Sequence, residues 1–210
     1  PLTVLPAGTG LTVVSENPVY VQGNYNVWTT ATAFGTAQTD HRPSAVIADA
    51  VTLVSNLWSD IRSFPYQLTT GTGDCNGATG FQYCNGTGNP ARRPGDTTYF
   101  RMGIVSGKGL SFPRPGWAPQ DFGTDGGAHN FLRFVEDWAG TLNYRGSIIS
   151  FYQSRQGVGT YKCCTNVYDP PARGYRFDTE FLDLALLPPK PPAFRSVNTL
   201  ASGQIRGPTQ

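Results

Sequence analysis

The sequence predicts an all-β chain wound as a right-handed β-helix, a solenoid-like domain with long loops and an extended Pro-rich C-terminal tail. Three observations carry this expectation. Apolar segments rich in β-branched and aromatic residues recur along the chain, each bounded by Gly, Pro, Asn or Asp. Glycine and proline are frequent, 25 and 17 of 210 residues, which reads as many tight turns because the sum stays below a low-complexity composition. A weak internal echo links VYVQGNY at 19–25 to LNYRGSI at 142–148, and each places a Gly where a stacked chain has to turn a corner.

The strand segments follow in order. GLTVVSENPVYVQGNYN (10–26) is the first. PSAVIADAVTLVSNLW (43–58) also carries Ile47, Val51, Val54, Trp58 and Ile61 at helical spacing, so a helix competes there, and the echo decides for strands. TTYFRMGIVSG (97–107) is a third, NFLRFVEDW (130–138) repeats the strand-or-helix ambiguity through Phe131, Val135 and Trp138, and TLNYRGSIISFYQS (141–154) closes the series. In a solenoid each pass of the chain stacks its inward Val, Ile and Leu on the pass below, with hydrogen bonds running between passes. Residues 1–154 are expected to form this domain, with a Cys-stapled loop insertion at about 63–96.

Residues 155–210 belong to the same domain as an extended tail. The tail holds three Pro-Pro pairs, favours extended chain, and offers Tyr175, Phe177, Phe181, Leu186 and Phe194 as pins. Its expected role is to wrap the stack or cap its open end, because uncovered end strands invite aggregation.

Four cysteines stand at 75, 84, 163 and 164. An even count in Gly-rich loops points to structural disulfides among Cys75, Cys84, Cys163 and Cys164, with three connectivities open. A Cys75–Cys84 bond would staple a loop with little apolar content, at roughly 2.5–3 kcal/mol of chain-entropy stabilisation. A Cys163–Cys164 bond would be strained, since adjacent Cα atoms lie only about 3.8 Å apart. Two long-range bridges between the pairs are the alternative. No CxxC occurs, and neither His41 nor His129 has a second ligand at zinc spacing.

Charged residues make up 14% of the chain and the net charge is +2, which excludes a charge block able to track nucleic acid or an anionic membrane. Uncharged Ser, Thr, Asn and Gln take the place of Lys and Glu, as suits a secreted surface. No stretch reaches the roughly 18–20 apolar residues of a membrane span. Residue 1 is Pro rather than Met, so the expectation is a processed chain or a fragment.

For chemistry, Asp121, Asp125, Glu136, Asp137 and Arg133 are the residues a polysaccharide lyase or glycosidase on such a scaffold would draw on. Glu136 and Asp137 are adjacent and would face opposite sides of a strand, so a carboxylate pair would need a partner from elsewhere. His129, beside Gly126 and Gly127, is the better of two poor candidates for a base. DFGTDGG (121–127) could offer Ca²⁺ oxygen ligands but lacks EF-hand spacing and reads as an Asx-type turn. Phosphate-loop, HExxH and GxSxG signatures are missing from the sequence. No catalytic, cofactor-binding or metal-binding residue is therefore assigned. Trp28, Trp117 and Tyr175 sit in loop-like contexts where they could stack on sugars or on partner chains, and thirteen arginines against three lysines agree with an assembly face.

The ordered blocks GLTVVSENPVYVQGNYN, SAVIADAVTLVSNLWSD, GGAHNFLRFVEDWAG, TLNYRGSIISFYQSRQ, VYDPPARGYRFDTEFL and LLPPKPPAFRSVNTL resemble the C-terminal β-rich ectodomain of bacterial type IV pilus assembly proteins of the PilX-like kind, over residues 10 to about 200. Two features depart from that pattern: a prepilin-type N-terminal helix is missing from this sequence, and the Cys75–Cys84 loop looks like an insertion. The resemblance implies a noncatalytic, extracellular or cell-surface structural role, through self-assembly or docking on a pilin or filament chain. A surface adhesin that binds glycans is the alternative. No cofactor is implied, and no site residue carries over.

Overall fold

The computed structural model describes residues 2–27, 34, 41–60, 93–109, 123–124, 132–157, 160–161 and 168–191. Its strands are β1 (Leu11–Ser15), β2 (Val19–Gln22), β3 (Ser44–Ala48), β4 (Val51–Val54), β5 (Pro94–Gly95), β6 (Thr98–Arg101), β7 (Gly103–Lys108), β8 (Gly123–Thr124), β9 (Asp137–Trp138), β10 (Thr141–Gly146), β11 (Ile148–Gln153), β12 (Thr160–Tyr161) and β13 (Ala172–Phe177). Helical structure among the described residues is confined to short 3-10 turns, so the chain is all-β.

Over their described residues, both segments with a competing helical spacing are extended. In 43–58 the chain makes β3 and β4 around a corner at Asp49–Ala50, and β4 is buried along its whole length. A strand buried on both faces reads as an unbroken apolar run, which is how a helical spacing arises there by coincidence. In 132–138 the burial alternates: Leu132, Phe134, Glu136 and Trp138 are buried while Arg133, Val135 and Asp137 are half-exposed, the period of two that a strand imposes.

Among the described residues every strand pairing is parallel. One sheet has the order β1-β3-β7-β11, a second β13-β10-β6, and β2-β4 and β5-β9 form two-stranded sheets, as do the small β8 and β12. The chain visits these sheets in a repeating order. β3, β4, β5 and β6 follow one another through the four sheets. β7 then pairs with β3, Arg133 bridges Thr52 in β4, β9 pairs with β5, and β10 pairs with β6. On the next pass β11 pairs with β7, Asp169 bridges Asp137, and β13 pairs with β10.

In-register pairing stacks like on like. Val13, Val46, Ile104 and Ile148 form one column across the four-stranded sheet. Tyr25, Phe100, Tyr144 and Tyr175 form an aromatic column across the other. Val46, Ile104, Phe100 and Tyr144 are the inner members and are buried with Leu53, Met102, Leu132, Phe134 and Leu142 in one core. The Tyr144 and Tyr175 rings meet edge to face at 5.8 Å, a favoured aromatic geometry.

The two echoed glycines each end a strand but at different corners: Gly23 follows β2 of the β2-β4 sheet with φ +73°, whereas Gly146 ends β10 of the β13-β10-β6 sheet, where a Cβ would collide with the Met102 carbonyl, so the echoed segments do not stack on one another. Strand signal after residue 155 is weak, and extended chain is the expectation there, yet Ala172–Phe177 is a regular strand. Its partner β10 supplies the ladder whatever its side chains prefer. Beyond it, Asp178 and Asp183 cap the 3-10 turns Thr179–Leu182 and Leu184–Leu186. The chain then runs back toward β1, with Phe181 over Gly103 and the Thr12 hydroxyl donating to the Pro189 carbonyl at 2.5 Å. Of the expected pins, Tyr175 and Phe177 lie in β13, Phe181 and Leu186 in the 3-10 turns, and Phe194 outside the described residues.

Candidate functional site

A groove of about 560 Å³ opens beside the β2–β4 pair, lined by Tyr20, Gln22, Trp58, Asp60, Arg93 and Val135 together with Val54. Alternation in Val19-Tyr20-Val21-Gln22 turns the valines to the core and Tyr20 and Gln22 outward, and Tyr20 is 63% exposed. The Trp58 indole N–H donates to Asp60 Oδ1 at 2.8 Å, and Gln22 Nε2 donates to the Trp58 carbonyl at 3.1 Å, so the indole is held in place. An exposed phenol ring, a fixed indole, a guanidinium and a carboxylate around one opening can stack on a sugar ring and hydrogen-bond its hydroxyls.

Behind this wall lies Glu136, fully buried. Its Oε2 accepts from the Ser55 backbone N–H at 2.6 Å and its Oε1 from the Ser55 hydroxyl at 2.7 Å. Burial pushes its carboxyl up to about 7, helped by the Asp96 charge, while the two Ser55 hydrogen bonds and the Arg93 charge pull the other way. Asp137, its neighbour, is half-exposed in β9 opposite Pro94, on the other face as expected. Arg133 bridges Thr52 and donates from Nη1 to the Gly157 carbonyl at 2.9 Å. These three residues do not converge on a shared opening.

A second polar cluster lies under the C-terminal turns. Arg101 binds Asp178 with two hydrogen bonds, Nε to Oδ2 at 2.7 Å and Nη2 to Oδ1 at 3.0 Å, and also reaches Glu180 Oε1 at 3.0 Å. Its Nη1 lies 2.9 Å from His41 Nδ1. A guanidinium only donates, so His41 Nδ1 accepts, its Nε2 carries the proton, and that proton is donated to Glu180 Oε2 at 2.7 Å. Each member of the cluster is bound to another, which suits a lock between the stacked strands and the chain after β13. A cleft of about 500 Å³ adjoins it, bordered by His41, Arg42, Glu180 and Pro189.

Of the residues singled out in the sequence, Tyr175 closes the aromatic column as a half-buried ring. Trp28, Trp117, Cys75, Cys84, Cys163, Cys164, Asp121, Asp125 and His129 lie outside the described residues. Sequence reasoning missed Tyr20 and Trp58, although the alternation in β2 already points Tyr20 outward. Nothing in the sequence links His41 to Arg101, Asp178 and Glu180. Comparison of the chain with protein-family models, with curated proteins and with solved structures finds no match.

Proposed function

We propose that the chain is a right-handed β-solenoid serving as a noncatalytic structural protein at the cell surface, associated with a type IV pilus or a related filament. The observation that carries the solenoid is the repeated, all-parallel order in which the chain visits its sheets. The strong preference of parallel crossovers for the right hand supports the handedness. Stacked columns of Val, Ile, Tyr and Phe make a stiff body, and the Arg101 lock ties the returning C-terminal turns to it. The pilus assignment rests on the ordered sequence blocks. Immunogold labelling of the native cells tests it: gold on filaments or at their bases is expected, and label confined to the cell interior overturns it.

The groove favours a second reading, a glycan-binding surface. Exposed Tyr20 and the fixed Trp58 would stack on saccharide rings, with Gln22, Asp60 and Arg93 reading hydroxyls. A glycan array tests this, with saturable binding abolished by Tyr20→Ala and by Trp58→Ala as the expected result. Binding that survives both substitutions removes the groove.

A further inference from the structure

We propose that the outer face of the β13-β10-β6 sheet binds an acidic polysaccharide of the uronic-acid type, with Arg145 and Arg176 holding a sugar carboxylate and Asn143 accepting from a hydroxyl beside it. The proposal rests neither on the solenoid reading nor on the groove beside β2 and β4.

The first ground is an uncompensated pair of charges. Tyr144 and Tyr175 face the core, so the alternation of β10 and β13 turns Arg145 and Arg176 outward. They are register partners on adjacent parallel strands, which sets them about 5 Å apart at the backbone. Two like charges held that close repel, and an anion between them removes the repulsion. Arg101 on β6 continues the same column, and it receives two carboxylates, Asp178 and Glu180. Among the described residues none supplies a carboxylate to Arg145 or Arg176. A charge that only guards the sheet edge is needed on the end strand β13 alone. Arg145 lies one strand further in, with its guanidinium held 4.9 Å from the centre of the Phe34 ring. Each guanidinium is a planar fork of N–H donors that matches a carboxylate with two parallel bonds.

The second ground is an acceptor beside these donors, and it selects the ligand. Asn143 and Gly174 are register partners two residues before Arg145 and Arg176 and share their face. A Cβ on Gly174 would stand 2.7 Å from Asn143 Oδ1, so the amide leans across the bare backbone toward β13. Its Nδ2 donates to the Thr141 carbonyl at 3.4 Å, while its Oδ1 accepts from no described residue. The face thus offers guanidinium donors for an oxyanion and, about 7 Å along the strand, a carbonyl acceptor for an O–H. Inorganic sulfate or phosphate, or an acidic peptide side chain, brings oxyanion oxygens without that hydroxyl. A uronic acid carries a carboxylate and hydroxyls on one ring. Arg176 is exposed and Arg145 and Asn143 are half-exposed, an open surface that covers too little of a free monosaccharide and suits a polymer meeting it repeatedly.

Biolayer interferometry of the 210-residue chain on immobilised polygalacturonate tests the proposal, with polyglutamate, dextran sulfate and plain dextran as comparison surfaces. Saturable binding to polygalacturonate is expected, weakened about tenfold or more by Arg145→Ala, by Arg176→Ala and by added salt. Asn143→Ala should bring polygalacturonate down to the level of polyglutamate. Arg155→Ala, at an exposed arginine outside this sheet, and Tyr20→Ala, in the groove, should leave binding unchanged. Ligand-free Arg176→Ala should melt at or above the wild-type temperature, since a repulsion is removed at an exposed position. A lower melting temperature means that Arg176 already has a partner within the chain and overturns the proposal. So do an absence of wild-type binding, equal binding to polyglutamate or dextran sulfate, and binding indifferent to both arginine substitutions. Binding lost in Tyr20→Ala and kept in Arg176→Ala assigns the glycan to the groove, leaves that reading standing and removes this one.

Discussion

Glu136 spends both carboxylate oxygens on a single residue, Ser55, one on its backbone N–H and one on its hydroxyl. The Ser55 hydroxyl in turn accepts from the Leu57 N–H at 3.1 Å, so one buried acid fixes the corner after β4. Stability is therefore tied to the protonation of Glu136. Its folded value, about 7, lies above the ordinary 4.5, so the folded state binds the proton more tightly than the unfolded chain. This contribution is present in full below about 4.5 and is lost as pH rises through about 7. A shift of that size corresponds to about 3 kcal/mol. Urea melts at pH 5 and pH 8 are expected to show the loss, and Glu136→Gln to flatten it.

Asp49 runs in the opposite sense. Burial raises its carboxyl, but hydrogen bonds from the Ser154 hydroxyl and from the Arg155, Gln156 and Gly157 N–H groups together hold it below the ordinary value. Its contribution is present above about 3.8 and is lost as pH falls through the lower folded value. Asp49→Ala should cost about 1–3 kcal/mol by leaving the buried Ser154 hydroxyl and the part-buried Arg155 and Gln156 N–H groups without their acceptor. Hydrogen exchange should speed up first at Arg155 and Gln156.

Asp178→Ala leaves the Arg101 guanidinium buried without its main partner, at an expected cost of about 3–5 kcal/mol. The 3-10 turn capped by Asp178 is released together with the lock. Limited proteolysis should then cut between residues 178 and 191 well before the strands, whereas the wild-type chain resists there.

Two glycines separate close approach from conformation. Gly146→Ala drives a Cβ into the Met102 carbonyl and should cost more than about 4 kcal/mol or prevent folding. Gly8→Ala places a Cβ in open space at φ +76° and should cost only about 1 kcal/mol, the strain of a left-handed backbone. Thermal melts of the two variants check the contrast.

The β-branched runs themselves announced β1, β2, β6, β7, β10 and β11, because a strand buried on one or both faces writes its period or its apolarity into the sequence. Over 43–58 and 130–138, which hold β3, β4 and β9, the same residues also fit a helical spacing, so the run alone did not separate the two, and the two-residue strand β5 is too short to carry a pattern. β13 was illegible because ARGYRF is largely exposed and owes its conformation to the β10 ladder.

By itself, then, the sequence determined the all-β class, the main strands and the corner glycines, since these depend on local propensity and steric demand. Only the tertiary structure decided which residues share a column and which polar groups meet. His41, Arg101 and Asp178 come together because parallel stacking brings successive passes of the chain within a hydrogen bond of each other. The length of each connecting loop is free to vary, so no spacing in the sequence records that encounter.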